Sequence, residues 1–248
     1  MPKIKAIIIA AGPGSRTGLD KPKCLLDING KSIIQRQLDI LRACGINDIS
    51  VIKGYKSELI DFPEIKYYKN NNYLNNNILN SLFCAEKEMD GEFIVMYSDI
   101  LFDKSVVEKL LESKKDISII VDTDWKGYYD GRTEHPIEEA EKVVLQQDKV
   151  LKIGKDPRIE ESQGEFIGMA KFNKKGGEIL KKEFQRAKNK YWGRPFQKAE
   201  TFEKAYLTDM FQELISRGID IYPVEIQKNW WEIDTNQDFE KVKKIFSA

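Results

Sequence analysis

An α/β fold, with a mixed, mostly parallel sheet flanked by helices, is predicted by three features of the sequence. Short apolar runs, Lys5 to Ala11, Ile49 to Ile52 and Glu92 to Tyr97, have the composition of strands buried on both faces. Segments with the 3.6-residue period of amphipathic helices separate them. Each run ends in glycine or aspartate punctuation, as strands do where they feed a loop. Strands alternating with helices build crossover units and therefore parallel pairing.

The elements follow in order. Lys5 to Ala11 is a strand stopped by Gly12-Pro13-Gly14-Ser15-Arg16. Ile34, Leu38 and Leu41 recur at helical spacing before Gly45, so a helix is expected over Ser32 to Cys44. Strands are expected at Ile49 to Ile52 and Ile65 to Tyr68, then a helix over Asn77 to Met89 and a strand over Glu92 to Tyr97. Val106, Val107, Leu110 and Leu111 mark a further helix, and Ile117 to Val121 a strand closing on Asp122. The alternation then lapses. Val143 to Leu145 and Val150 to Ile153 flank a polar turn and read as a hairpin, with another strand at Glu165 to Phe172. Residues 124–194 are therefore expected to be largely an insertion over a Rossmann-like sheet. A helix through Leu207, Met210, Phe211 and Leu214 ends at Gly218, a strand covers Ile219 to Ile226, and Thr235-x-x-Asp238 resembles a capping box opening the last helix.

The 248 residues suit one large domain. Forty Lys and Arg balance forty Asp and Glu, so no global field exists to hold nucleic acid or an anionic membrane. The longest uncharged apolar run, Ala6 to Ala11, falls far below the roughly 20 residues of a membrane helix. No signal-peptide pattern follows it, and a cytoplasmic protein is expected. Cys24, Cys44 and Cys84 are widely spaced and His135 is the sole histidine, which disfavours a disulfide framework and a structural zinc.

In open α/β sheets ligands gather beyond the carboxyl ends of the strands. Gly12, Gly14, Ser15 and Arg16 stand there after the first strand, offering backbone N–H groups and a guanidinium to phosphate oxygens. Asp99 follows the third long strand, where a carboxylate can hold Mg²⁺ against a phosphate, although a helix cap is the ordinary fate of such an aspartate. Glu232 and Asp234 are two apart, so an extended segment turns both to one side, where they can share a cation. With Lys23 these groups form the parts needed for attack at an α-phosphorus. A dinucleotide fingerprint fails because Thr17 stands where its third glycine belongs, and no Walker A continuation follows Gly12 or Gly14. Trp125, Tyr128, Tyr129 and Trp230 form either a cage for a cationic amine or a packed or interface patch, and strand alternation lets only one of Trp230 and Trp231 face the site. Asp209 can add an acidic partner. Arg132 and His135 can donate to an anion.

Ala10-Ala11-Gly12-x-Gly14-x-Arg16, followed by Lys21-Pro22-Lys23-Cys24-Leu25-Leu26, resembles the signature of the nucleoside-triphosphate transferases that activate phosphorylated metabolites. The similarity continues through Gly54-Tyr55, Asn76-Asn77-Ile78, Ser98-Asp99 and Trp231-Glu232-Ile233-Asp234-Thr235. Within that family the chain most resembles choline-phosphate and phosphonate cytidylyltransferases. The resemblance implies CTP as donor and a small phosphonate or phosphate acceptor. Arg16 and Lys23 would be catalytic, with Ala10, Ala11, Gly12, Gly14, Ser15, Gly54, Asn77, Ser81 and Ser98 around the nucleotide. It further implies Mg²⁺ on Asp99, Glu232 and Asp234, and an acceptor region drawing on Asp122, Trp125, Tyr129, Arg132, His135, Asp209 and Trp230 within and beyond the insertion. A sugar-1-phosphate nucleotidyltransferase using UTP, dTTP or GTP is the alternative, and a homodimer is compatible with either.

Overall fold

The computed structural model describes residues 4–14 and 20–247. In chain order the elements are β1 (Lys5–Ala10), β2 (Asp27–Ile28), β3 (Lys31–Ser32), α1 (Ile33–Ala43), β4 (Asp48–Lys53), β5 (Lys66–Lys69), α2 (Ile78–Leu82), β6 (Phe93–Tyr97), β7 (Ile100–Phe102), α3 (Lys104–Glu112) and β8 (Ile117–Asp122). They continue with β9 (Lys142–Gln146), β10 (Lys149–Gly154), β11 (Gly164–Phe172), α4 (Lys174–Tyr191), α5 (Leu207–Ser216), β12 (Tyr222–Ile226), β13 (Trp230–Glu232) and α6 (Asn236–Ile245).

The main sheet runs β10-β9-β11-β6-β1-β4-β5, with β8 pairing β11 and β12 pairing β8. β1 lies parallel to both β4 and β6, and β12 parallel to β8. β11 is antiparallel to β6 on one side and β8 on the other. The mixed, mostly parallel sheet of the sequence reading is present. Helices cover both faces, which is why β1 is apolar throughout: Ile7 and Ile9 enter one core layer and Ala6, Ile8 and Ala10 the other. Each fully buried isoleucine there contributes about 1.5–3 kcal/mol of transfer free energy.

Local signals set several boundaries. Ser32 Oγ accepts from the Gln35 N–H and caps α1, and Gly45 takes the left-handed conformation that ends it, with φ +79°. Thr235 and Asp238 form the expected reciprocal capping box on α6. The helix expected over Asn77 to Met89 is shorter: α2 stops at Leu82, and residues 83–88 form a 3-10 turn broken at Ala85. Tertiary contacts account for the break. The Glu88 carboxylate accepts from Tyr68 Oη at 2.6 Å and meets Lys5 and Lys66 at 3.2 Å each, drawing that turn beneath the sheet.

The region 124–194 divides in two. Residues 123–141 leave the sheet as loops and short turns, whereas the predicted hairpin β9–β10 and strand β11 join the sheet itself. β11 accommodates this with a register shift between Phe166 and Ala170, where Gly168 adopts φ +83° against the Tyr97 ring. Among the described residues no helix is long and apolar enough to cross a membrane.

Candidate active site

The parallel strands end together, and the residues after them line a cleft of about 280 Å³. Ala10, Ala11, Gly12 and Gly14 form one side of it. Ser15 and Arg16 lie outside the described residues. Gly54 stands behind this wall at the end of β4: a Cβ there would come within 2.4 Å of the Ala11 carbonyl oxygen and 2.9 Å of Tyr73 Cβ, so only glycine permits the approach. Asn77 and Ser81 line the opposite side. Asn77 caps α2 through Oδ1 while Nδ2 donates to the Lys204 carbonyl, and Ser81 Oγ donates to the Asn77 carbonyl while accepting from Asn70 Nδ2. The Asn-rich stretch is thus a ladder of side-chain hydrogen bonds holding this wall in place.

Lys23 occupies the floor. Its Nζ donates to Asp99 Oδ2 at 3.0 Å and to Asp234 Oδ1 at 2.6 Å. Burial opposes the ammonium charge, but the two carboxylates outweigh it and hold the pKa well above lysine's usual range. Asp99 follows Ser98 at the end of β6 and does not serve as an N-cap; its Oδ1 is buried without a hydrogen-bond partner. Asp234 arrives from the opposite direction, two residues beyond the β13–β7 pairing, next to Ile233, whose N–H donates to the Asp99 carbonyl at 2.9 Å. Glu232 lies on the same stretch, and burial together with the Asp234 charge raises its carboxyl to about 7. His135 completes the group: its Nδ1 is 2.6 Å from Asp234 Oδ2, and His135, Glu232 and Asp234 present ligand atoms all within 4.8 Å of one another. An orphaned buried carboxylate oxygen beside two further carboxylates and an imidazole fits a divalent cation.

The aromatic residues are arranged differently from an open cage. Trp125 is 1% exposed and packs edge-on against Tyr129. Lys241 Nζ lies 5.4 Å from the Tyr128 centroid, and a cation shared by both tyrosine rings is the chain's own Arg132, 4.8 Å from the Tyr128 and Tyr129 centroids alike. Its guanidinium also donates to Asp238 at 2.8 Å and 3.0 Å and to Glu232 at 3.2 Å. Trp230, not Trp231, turns toward this group, stacking on Tyr128 while its Nε1 donates to Asp122 Oδ2. Trp231 packs on Phe246 instead. Asp122 is fully engaged, since Oδ1 accepts from the backbone of Asp124 and Lys228. Asp209 is likewise occupied: its oxygens accept from the Tyr206 and Lys198 N–H groups at the start of α5. Asp122, Trp125, Tyr129, Arg132 and Trp230 thus form a packed group beside Glu232, the packed alternative rather than the amine cage, whereas Asp209 borders the space between β10 and α5.

Sequence reasoning missed the groups that line the far side. A small cavity of about 90 Å³ shares Tyr97, Asp99, Asp234 and Tyr206 with the main cleft and continues to Glu141 and Glu165. Beyond it lies a cavity of about 420 Å³ between β10 and α5, bordered by Glu141, Lys155, Arg158, Lys198 and Thr208. Glu141 stands at the junction, accepting from Thr208 Oγ1 at 2.7 Å and Tyr97 Oη at 3.3 Å, and burial pushes its carboxyl up to about 7. Burial also pushes the Glu165 carboxyl well above its usual range, although Tyr129 Oη donates to it, and Glu165 Oε2 has no hydrogen-bond partner. The one sequence signal for Tyr97 was its place at the end of an apolar strand; Glu141 carried none.

Residues 6–153 match the sequence profile of the MobA-like NTP transferase domain. The chain belongs to this family. A MobA-like NTP transferase of this kind is a nucleotidyltransferase, and the likeness to relatives extends over nearly the whole chain. It is 30% identical to the CTP:phosphoglutamine cytidylyltransferase of Campylobacter jejuni over 253 aligned residues, covering 96% of this chain and 98% of that protein. It is 27% identical to the choline-phosphate cytidylyltransferase of Streptococcus pneumoniae, with 98% of each covered. A solved structure of the CTP:phosphocholine cytidylyltransferase from Streptococcus pneumoniae superposes with a TM-score of 0.74 at 23% identity, over 98% of this chain and 99% of that one, which shows the shared fold.

Proposed function

We propose that this MobA-like NTP transferase moves CMP from CTP to a small acceptor bearing a phosphate or phosphonate and an amine, releasing pyrophosphate. The observation that carries the reading is the Lys23 ammonium held between Asp99 and Asp234 at the floor of the glycine-walled cleft. The relatives named for CTP and phosphate-bearing acceptors support the choice of donor and acceptor class.

The triphosphate lies along Ala11 to Gly14, whose backbone approaches it closely because glycines leave room. Lys23 neutralises charge that builds on the α-phosphate oxygens as the acceptor oxygen attacks. Asp99, Glu232 and Asp234 would hold Mg²⁺, which supplies further charge stabilisation and orientation to the phosphates. The acceptor enters from the side of the smaller cavity. Its phosphate or phosphonate oxygen faces the cleft across Asp99 and Asp234, and its amine meets Glu141 and Glu165 rather than the Arg132-filled aromatic group. The remainder of a longer acceptor extends into the cavity beside Lys155 and Lys198, where both charge signs are present for a zwitterion.

Product mass tests this reading. Incubation with Mg²⁺ and, in turn, CTP, UTP and dTTP, each paired with 2-aminoethylphosphonate, phosphocholine, phosphorylated glutamine or glucose 1-phosphate, is expected to give a CMP adduct with an amine-bearing acceptor. A UMP or dTMP adduct of glucose 1-phosphate, with no CMP adduct, would replace it with the sugar-1-phosphate reading.

A further inference from the structure

We propose that His135, Glu232 and Asp234 form a mixed nitrogen and oxygen site for a transition-metal dication, with the chain's one imidazole as a direct ligand. The inference rests on the metal role given above to Glu232 and Asp234 and adds a ligand that sets which metal is preferred.

Three observations carry it. The ligand atoms of these residues lie within 4.8 Å of one another. A cation bound at about 2.0–2.2 Å would bring such atoms to roughly 3–3.4 Å apart, a small movement for side chains at the end of β13 and on a loop. Second, His135 is 5% exposed, and its Nδ1 makes no hydrogen bond: it approaches Asp234 Oδ2 at 2.6 Å without the alignment a donor needs. A buried ring nitrogen without a hydrogen bond, beside two carboxylates, is a ligand in position. Third, the surrounding groups orient the site. Arg132 Nη2 donates to Glu232 Oε2 at 3.2 Å, and Lys23 takes Asp234 Oδ1, so Oδ2 is the oxygen on the His135 side. Asp234 thereby divides its oxygens between the nucleotide floor and this second group.

An all-oxygen set suits Mg²⁺, whereas an imidazole shifts preference toward Zn²⁺ and Co²⁺. The protein is therefore expected to bind Zn²⁺ at least tenfold more tightly than Mg²⁺ in the absence of nucleotide. Because His135 is the sole histidine, it can be read directly in the unaltered protein purified without a histidine tag. In long-range proton–nitrogen spectra of nitrogen-15-labelled protein at fixed neutral pH, stoichiometric Zn²⁺ should shift the Nδ1 resonance, and equimolar Mg²⁺ should leave it in place. Calorimetry with His135→Gln should show Zn²⁺ affinity reduced at least tenfold. An Nδ1 resonance unmoved at saturating Zn²⁺, or equal Zn²⁺ affinity in the variant, overturns the inference. Mg²⁺-supported turnover of CTP alongside either result would leave the proposed function standing while this site falls.

Discussion

Asp234 is contacted from two sides, by Lys23 at 2.6 Å and by His135 at 2.6 Å, and its backbone N–H is held by Asp238 Oδ2 at 3.1 Å. Asp238 also accepts from the Thr235 N–H and hydroxyl and from Arg132, so one carboxylate fixes the approach of Asp234 to the cleft. Asp238→Ala is expected to lower stability by about 2–4 kcal/mol, measured by denaturant midpoint, because it removes a helix cap and leaves the buried Arg132 charge poorly paired. Lys23→Met should retain the fold by circular dichroism yet lose two or more orders of magnitude in turnover. Trp125→Ala should reveal a core residue, with stability falling about 3–5 kcal/mol in thermal unfolding, since its indole is enclosed rather than presented to an acceptor. The Glu141 carboxyl gives a pH dependence. Its folded pKa of about 7 exceeds the unfolded 4.5, so the folded state retains a proton that the unfolded chain has lost between these values. That contribution is present below 4.5 and disappears as pH rises through 7. Glu141→Gln should therefore be more stable than the parent at pH 8 by on the order of 1–3 kcal/mol, with the difference shrinking toward acid pH in paired denaturation curves.

At the scale of elements, legibility followed the range of the interactions. α1 was readable because Ser32 and Gly45 act within a few residues of what they terminate. The shortened α2 was not, because Glu88 answers to Lys5, Lys66 and Tyr68 far along the chain. The positions of Lys23, Asp99 and Asp234 were legible from strand ends and motif spacing, while the filling of the tyrosine cluster by Arg132 depends on a loop folding back on itself, which periodicity does not record. The place of β11 inside the sheet was equally nonlocal, being a choice of partner strands rather than of strand character. The junction of β1 and β4 makes the sharpest test at this scale. Gly54→Ala would push a methyl into the Ala11 carbonyl and the Tyr73 side chain, so the two strand ends must separate. A stability loss of about 2–3 kcal/mol is expected, with a raised KM for the nucleotide.

For the whole molecule, the sheet gathers the ends of β1, β4 and β6 into one wall, and the β13–β7 pairing brings Glu232 and Asp234 across from Asp99. Three adjoining cavities then run from the glycine loop to the space between β10 and α5, sharing Tyr206 along the way. A donor nucleotide at one end and a small acceptor at the other would meet at Lys23 and the carboxylates. The direct test is pyrophosphate release with Mg²⁺ for CTP, UTP, dTTP and GTP, each alone, with an amine-bearing phosphate or phosphonate, and with glucose 1-phosphate. Release confined to wells with CTP and acceptor, lost in Lys23→Met, is the predicted result. CTP binding with no release from any acceptor, or release driven by UTP and glucose 1-phosphate alone, would contradict it.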